Sequence, residues 1–168
     1  MPFLWLKRIE ILTGYSSFLD NISLPKIEFA YIDGAHFYEG VRHDFYSFLK
    51  IAAPHFVVLF DDYVKREQYG VTKLIDEDVA LNFDVTNIRV NMDYLRKTHI
   101  TDDPHAGMIL IESTSIKKPL EGVYPQDKID RILLNYRSFE KRLRLREKLN
   151  EKFPFLKKIR FSKYLPRV

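Results

Sequence analysis

Short apolar runs alternate with a segment of helical periodicity in the first half of the chain. Continuous apolar runs occupy 26–33 (KIEFAYID) and 55–61 (HFVVLFD), and such runs are typical of strands buried on both faces of a parallel sheet. Between them, residues 38–53 carry apolar side chains at helical spacing, and Pro54 follows. The pattern predicts a strand, a helix and a second strand.

The same alternation continues on both sides of this unit. We expect a short strand over 8–14 that ends at Gly14, a helix over 70–82, and two late strands over 83–92 and 107–113. Strands that alternate with helices and finish in a strand pair are typical of an α/β fold.

Charge divides the chain near 121–127. Residues 126–168 hold 14 Lys+Arg and 5 Asp+Glu, whereas residues 1–125 hold 13 and 18. We therefore predict a domain over 1–125 and a basic helical tail over 126–168, and we expect the two parts to meet different partners.

The tail predicts a long amphipathic helix, because apolar residues recur with helical spacing from Ile129 onwards. This stripe favours packing on the domain or on a second subunit, which would give a homo-oligomer through the helix. A second interpretation is peripheral contact with an anionic membrane. Nucleic acid is the least favoured partner, since no recognised motif supports it.

Composition excludes several classes of protein. A hydrophobic content of 46% and an aromatic content of 14% indicate a globular chain. The chain has no cysteine, which excludes a disulfide framework and a thiolate metal site. No apolar stretch approaches the roughly 18 residues of a membrane span, and the first residues lack a signal-sequence pattern. We therefore expect a cytoplasmic protein, with any membrane contact limited to its surface.

Carboxylates follow the two central strands at the points where they end. Asp33 ends the first strand, Asp61 and Asp62 end the second, and His36 lies three residues after Asp33. Ligands of α/β sheets bind outside the carboxyl ends of the strands, and neighbouring strands lie about 4.8 Å apart, so we expect the carboxylates to converge. Converging carboxylates repel one another unless a cation lies among them, and oxygen donors suit Mg²⁺, Ca²⁺ or Mn²⁺.

Each of these residues also has a simpler interpretation. An aspartate at the end of a strand is often the N-cap of the following helix, and taken singly each aspartate fits that role equally well. A lone histidine such as His36 is more often a surface loop residue. The remaining histidines have no comparable context, and we interpret them as structural or solvated.

The segment from 29 to 77 resembles class I S-adenosylmethionine-dependent methyltransferases. It is most similar to the metal-dependent O-methyltransferases of sugar hydroxyls, the macrocin O-methyltransferase type. The resemblance rests on an apolar strand that ends IDG-x-H, a second strand that ends in a paired acid and an aromatic, and Gly70-Val71 at the start of the next helix. In weaker form it extends over roughly residues 8 to 115.

The resemblance implies a Rossmann-like fold, S-adenosylmethionine and Mg²⁺ or Mn²⁺ as cofactors, and a small-molecule or glycan acceptor. By position, Asp33, Asp61 and Asp62 would hold the metal, and His36 would be the general base for the acceptor hydroxyl. Tyr15 and Ser16 would lie near the adenine, although the family often has an acid or a small polar residue where Tyr15 stands.

The chain departs from this family in its first strands and in the glycine-rich turn that binds the cofactor, since no G-x-G-x-G occurs in the sequence. The family strand order resembles 3-2-1-4-5-7-6. Without strands 1 and 2, the strand that ends at Asp33 becomes an exposed apolar edge, unless the strand over 8–14 shifts to pair with it.

The resemblance therefore implies the carboxyl-terminal part of a methyltransferase domain, with weak or no binding of S-adenosylmethionine. Two function classes follow. The first is an O-methyltransferase that acts on a sugar or similar hydroxyl. The second is a non-catalytic remnant or interaction module that lacks the cofactor site.

Overall fold

The structure is a computed structural model that describes residues 9, 11–14, 16, 19, 22–63, 70–88 and 107–153. These residues form four strands and five α-helices: β1 (Ile27–Ile32), α1 (Tyr38–Ile51), β2 (Ala52–Phe60), α2 (Gly70–Leu74), α3 (Ala80–Asn82), β3 (Thr86–Ile88), β4 (Met108–Glu112), α4 (Leu120–Val123) and α5 (Gln126–Lys152). A π-helical turn over Ile75–Val79 joins α2 to α3. The predicted α/β class is confirmed.

The four strands form one mixed sheet in the order β1-β2-β4-β3. β1 and β2 are parallel, with Tyr31 opposite Leu59 and Ile32 opposite Phe60, and α1 is the crossover between them. β4 runs antiparallel to both β2 and β3. The sheet and its helices are compatible with a Rossmann-like fold, and the parallel pair brings two carboxyl strand ends to the same edge.

The core lies between one face of this sheet and the helices α1, α2 and α5. Phe45 of α1 is fully buried and packs against Phe60 of β2 and the nearly perpendicular ring of Tyr124. The first turns of α5 add Ile129 and Leu133 to the same core. Burial of each such side chain contributes about 1.5–3 kcal/mol, so these contacts fix α1 and α5 against the sheet.

The prediction that the two central strands are buried on both faces is wrong for the described residues. In β2, Phe56 and Phe60 are buried against the helices, whereas in β1 Phe29 is 58% exposed and Tyr31 is 47% exposed. Successive side chains of a strand point to opposite faces, and the described helices that form the core cover only one of them. Among the described residues β1 has only β2 as a strand neighbour, so it forms an exposed edge.

The strand predicted over 8–14 is not formed in the part of it that the structure describes. Residues 9 and 11–14 have no strand structure, and Ile9, Ile11 and Leu12 are exposed. A strand requires a hydrogen-bonded neighbour, and these residues do not pair with β1. The predicted shift of this segment onto the edge of the sheet is therefore not observed.

The remaining predicted elements are present. α1, the helical segment from Gly70 to Asn82 and the antiparallel pair of β3 and β4 occur where the periodicity indicates. Of the strand predicted over 83–92, residues 86–88 form β3, and residues 89–92 lie outside the described residues. α5 begins at Gln126 and packs along α1, where Lys50 and Asp130 form an ion pair of 3.1 Å. The predicted division into 1–125 and 126–168 stays a prediction.

None of the helices in the described ranges combines the length and the apolar character needed to cross a membrane.

Candidate metal centre at two parallel strand ends

Two loops at the carboxyl ends of β1 and β2 carry the predicted site residues. The loop over 33–37 leads from β1 to α1, and residues 61–63 follow β2. The backbone N–H of Asp61 donates a hydrogen bond of 3.0 Å to the carbonyl of Ile32. This bond continues the strand pairing by one residue and holds the two loops side by side.

Three of the predicted residues come together at this edge. Asp33, His36 and Asp62 each place one potential ligand atom within 4.8 Å of the other two. The closest contact joins Nε2 of His36 to Oδ2 of Asp62 at 2.8 Å. The side chains of His36 and Asp62 are 54% and 34% exposed, so a small molecule can approach the cluster from solvent.

Asp61 lies outside this cluster and has a different set of partners. Tyr31 donates its hydroxyl hydrogen to Oδ2 of Asp61, and the backbone N–H of Asp62 donates to Oδ1 at 2.8 Å. Asp61 is two residues beyond Leu59, the partner of Tyr31 in the sheet, so alternation places Asp61 and Tyr31 on the same face. Asp62 adopts a left-handed backbone conformation (φ 56°), and the chain turns there.

The cluster concentrates negative charge. Burial is the main cause that raises the pKa of Asp62, and the carboxylates of Asp61 and Asp33 raise it further, while His36 lowers it. The hydrogen bond to Asp61, together with burial and the nearby carboxylates, also raises the pKa of the Tyr31 phenol, which stays a hydrogen-bond donor. A cation among these carboxylates would offset their repulsion.

The donor set fits a divalent cation. Carboxylate oxygens suit Mg²⁺ and Mn²⁺, and an imidazole nitrogen suits Fe²⁺ or Zn²⁺. The helix-capping interpretation does not account for Asp33, because Phe37 occupies the N-cap position of α1. Asp33 is thus left at the strand end with His36 and Asp62 as its neighbours.

Gly70 fixes the loop that carries His36. Its N–H donates a hydrogen bond of 2.8 Å to the carbonyl of His36. A Cβ atom on Gly70 would lie 2.0 Å from the nitrogen of Tyr38 and 2.3 Å from the carbonyl carbon of Phe37, which are backbone atoms that cannot move aside. The sequence marks Gly70 only as part of a motif, whereas this close approach explains why the position excludes a side chain.

The two residues assigned to the adenine are only partly described. Tyr15 lies outside the described residues. Ser16 places its Oγ 3.2 Å from Nδ1 of His43, a buried residue of α1 whose ring stacks on Tyr136 of α5 at 4.0 Å. Ser16 is thereby tied to the pair of helices α1 and α5, and its assignment to the cofactor stays a prediction.

Sequence reasoning missed two tyrosines that hold the acidic loops. Tyr31 supports Asp61, and Tyr63 donates its N–H to the carbonyl of Gly107 and its hydroxyl to Oδ1 of Asp76, each at 3.0 Å. The sequence contains a signal for Tyr31: it lies two residues before Asp33, and alternation along a strand places both side chains on the same face. The interpretation of β1 as buried on both faces hides this signal.

A family model described as a methyltransferase domain matches residues 7–63. The matched segment contains β1, α1, β2 and all three members of the cluster. The match supports a methyltransferase domain in this part of the chain. Comparisons with curated proteins and with solved structures found no match.

Proposed function

We propose that the chain is part of an S-adenosylmethionine-dependent O-methyltransferase of the macrocin type, which uses a divalent metal to methylate a hydroxyl of a sugar or similar small molecule. The observation that carries this proposal is the position of the cluster, since the match to a methyltransferase domain covers both strand ends at which Asp33, His36 and Asp62 meet. The strand order adds support. β1-β2-β4-β3 corresponds to the second half, 4-5-7-6, of the order that the sequence resemblance implies.

In this proposal the two carboxylates of the cluster, Asp33 and Asp62, hold the cation. Asp61 positions Asp62 by accepting its backbone N–H, and Tyr31 fixes Asp61 in turn. A divalent cation held there would supply Lewis-acid polarisation and would lower the pKa of an acceptor hydroxyl.

His36 is the proposed general base. Its side chain is more than half exposed at the mouth of the cluster, and an imidazole can accept a proton near neutral pH. The carboxylate of Asp62, 2.8 Å away, would stabilise the imidazolium that forms. S-adenosylmethionine would supply the methyl group to the hydroxyl oxygen and would leave as the neutral thioether, while His36 would hold the proton that the hydroxyl gives up. His36 has an alternative role as a third metal ligand, and the effect of His36→Ala on the thermal response to Mn²⁺ distinguishes the two roles.

Transfer of a labelled methyl group tests the function. Because the sequence has no G-x-G-x-G and weak or no binding of S-adenosylmethionine is expected, the assay uses the chain joined to the glycine-rich strands of a methyltransferase domain. We expect this protein to transfer the labelled methyl group of S-adenosylmethionine to at least one member of a panel of glycosides in the presence of Mg²⁺ or Mn²⁺, with loss of transfer on chelation and recovery when the metal is restored. Asp33→Asn/Asp62→Asn should abolish transfer. The matched control Asp84→Asn, whose side chain is 82% exposed and pairs with Lys117, should retain it. Absence of both transfer and cofactor binding in calorimetric titration would instead support the non-catalytic module.

Thermal unfolding gives a separate test of the metal centre. Mn²⁺ or Mg²⁺ should raise the melting temperature of the parent, because a ligand that binds only the folded state at about 100 times its Kd adds about 2.7 kcal/mol. Asp33→Asn/Asp62→Asn should remove this increase, and Asp84→Asn should keep it. An equal response of the double variant and the parent would show that the cation binds elsewhere.

We expect the effect of Asp62→Asn on the melting temperature to depend on whether metal is present. The folded state raises the pKa of Asp62, so it holds this proton more tightly than the unfolded state does. The stability contributed by the protonated form is present at low pH and is lost as the pH rises through the raised pKa. Asp62→Asn should therefore melt at or above the parent temperature at neutral pH without metal, and below it with metal. A lower melting temperature in both conditions would contradict this reasoning.

A further inference from the structure

The second half of α5 leaves the core and exposes an apolar stripe. Ile129 and Leu133 bury the first turns of the helix, whereas Leu145, Leu149 and Phe153 are 59%, 41% and 44% exposed. Residues spaced four apart lie on one face of a helix, and the N–H of Phe153 still bonds to the carbonyl of Leu149. Leu145, Leu149 and Phe153 are called the outer stripe below.

The outer stripe faces away from the domain. At about 100° per residue, the centre of the outer stripe lies about 145° around the helix from the centre of the buried residues of α5. These buried residues are Ile129, Ile132, Leu133, Phe139 and Glu140. The described part of the domain therefore cannot cover the outer stripe without a rotation of the whole helix. Such a rotation would expose the core residues of its first turns.

Charge is sorted around the same face. Residues 141–152 hold six basic and two acidic residues, a net charge of +4. The two acidic residues, Glu147 and Glu151, lie on the side of the helix opposite to the outer stripe. Five exposed basic residues lie on or beside the stripe: Lys141, Arg142, Arg146, Lys148 and Lys152. The face that points away from the domain is thus both apolar and cationic.

We propose that this face of α5 docks on a membrane surface rich in anionic lipid headgroups, with the outer stripe at the level where headgroups meet acyl chains. Amphipathic helices that combine exposed leucine or aromatic residues with lysine and arginine bind such surfaces. Anionic lipid attracts each basic side chain that comes near it. Beyond the helix, residues 154–168 contribute five further basic residues and no acidic one.

A second copy of this chain is a poorer occupant of the face. Pairing of two outer stripes would bring two segments of charge +4 against each other, and like charges at close range oppose association. An anionic surface accepts the stripe and its basic rim together. The inference is independent of the proposed metal centre, because it uses no residue of that cluster.

Sedimentation with lipid vesicles tests the proposal on the full chain. We expect binding to vesicles of equal parts phosphatidylglycerol and phosphatidylcholine, little binding to phosphatidylcholine alone, and weaker binding at high salt. Leu145→Gln/Leu149→Gln should weaken binding about tenfold or more, since the apolar contribution is lost. Lys141→Gln/Lys148→Gln should also weaken it about tenfold or more.

Matched variants control for general effects of the substitutions. Leu81→Gln/Val85→Gln removes two exposed apolar residues elsewhere, and Lys26→Gln/Lys118→Gln removes two exposed charges outside α5. Both should bind as the parent does, and circular dichroism should show equal helix content in all variants. Equal binding to neutral vesicles, no vesicle binding, or unchanged binding in the stripe variant would overturn the proposal. So would light scattering that shows a dimer which the stripe variant abolishes, or preferential binding of nucleic acid over vesicles.

Discussion

Gly70→Ala is expected to destabilise the fold by about 3 kcal/mol or more. The added methyl group would lie 2.0 Å from the backbone nitrogen of Tyr38 and 2.3 Å from the carbonyl carbon of Phe37. These atoms belong to the start of α1 and cannot move without separating α1 from α2. The shift would also stretch the hydrogen bond from Gly70 to the carbonyl of His36, so the metal response should weaken together with stability. Denaturant unfolding of the metal-free protein measures the effect.

Gly122→Ala is the matched control. Nothing lies within 4 Å of a Cβ at this position, which is in α4, so alanine should be neutral or should stabilise by up to about 1 kcal/mol. A similar small effect of both substitutions would show that Gly70 is not clamped between α1 and α2, and that the loop carrying His36 is held by other contacts.

In the chain joined to the glycine-rich strands of a methyltransferase domain, His36→Ala is expected to lower the methyl transfer rate by about 10²–10⁴-fold, which corresponds to about 3–5 kcal/mol of transition-state stabilisation. The physical reason is the loss of the group that takes the proton from the acceptor hydroxyl. The effect should appear in kcat, with little change in the KM for S-adenosylmethionine. Partial recovery at high pH is expected, because hydroxide can replace the missing base.

His55→Ala provides the control, since His55 is an exposed histidine of β2 that is not a member of the cluster. It should leave transfer and the thermal response to metal unchanged. If His36→Ala removes the thermal response to Mn²⁺ along with transfer, His36 is a metal ligand and the base assignment is wrong. If it leaves transfer within a few-fold of the parent, His36 is a loop residue with neither role.

The order and type of most elements follow from the sequence, because helical and strand periodicities are local properties. The spacing of apolar residues predicts α1 and α5, and the two apolar runs predict β1 and β2. The segment over 8–14 has a similar apolar pattern, but its described residues, 9 and 11–14, form no strand, since a strand forms only where a partner offers its backbone groups. Burial on one face rather than two also depends on where the helices pack, which no short stretch of sequence encodes.

The sequence by itself determined that Asp33, Asp61 and Asp62 lie at one edge of the sheet, because they directly follow two strands that the α1 crossover makes parallel. Only the tertiary structure decided which of them share a cluster. The left-handed backbone at Asp62 takes its side chain toward His36, while Tyr31 on the neighbouring strand holds Asp61 apart. Likewise, the sequence predicts an amphipathic basic α5, but packing of its first turns on α1 decides which side of its second half faces outward. Strand ends are fixed by local pattern, whereas side-chain partners depend on contacts between residues far apart in the chain.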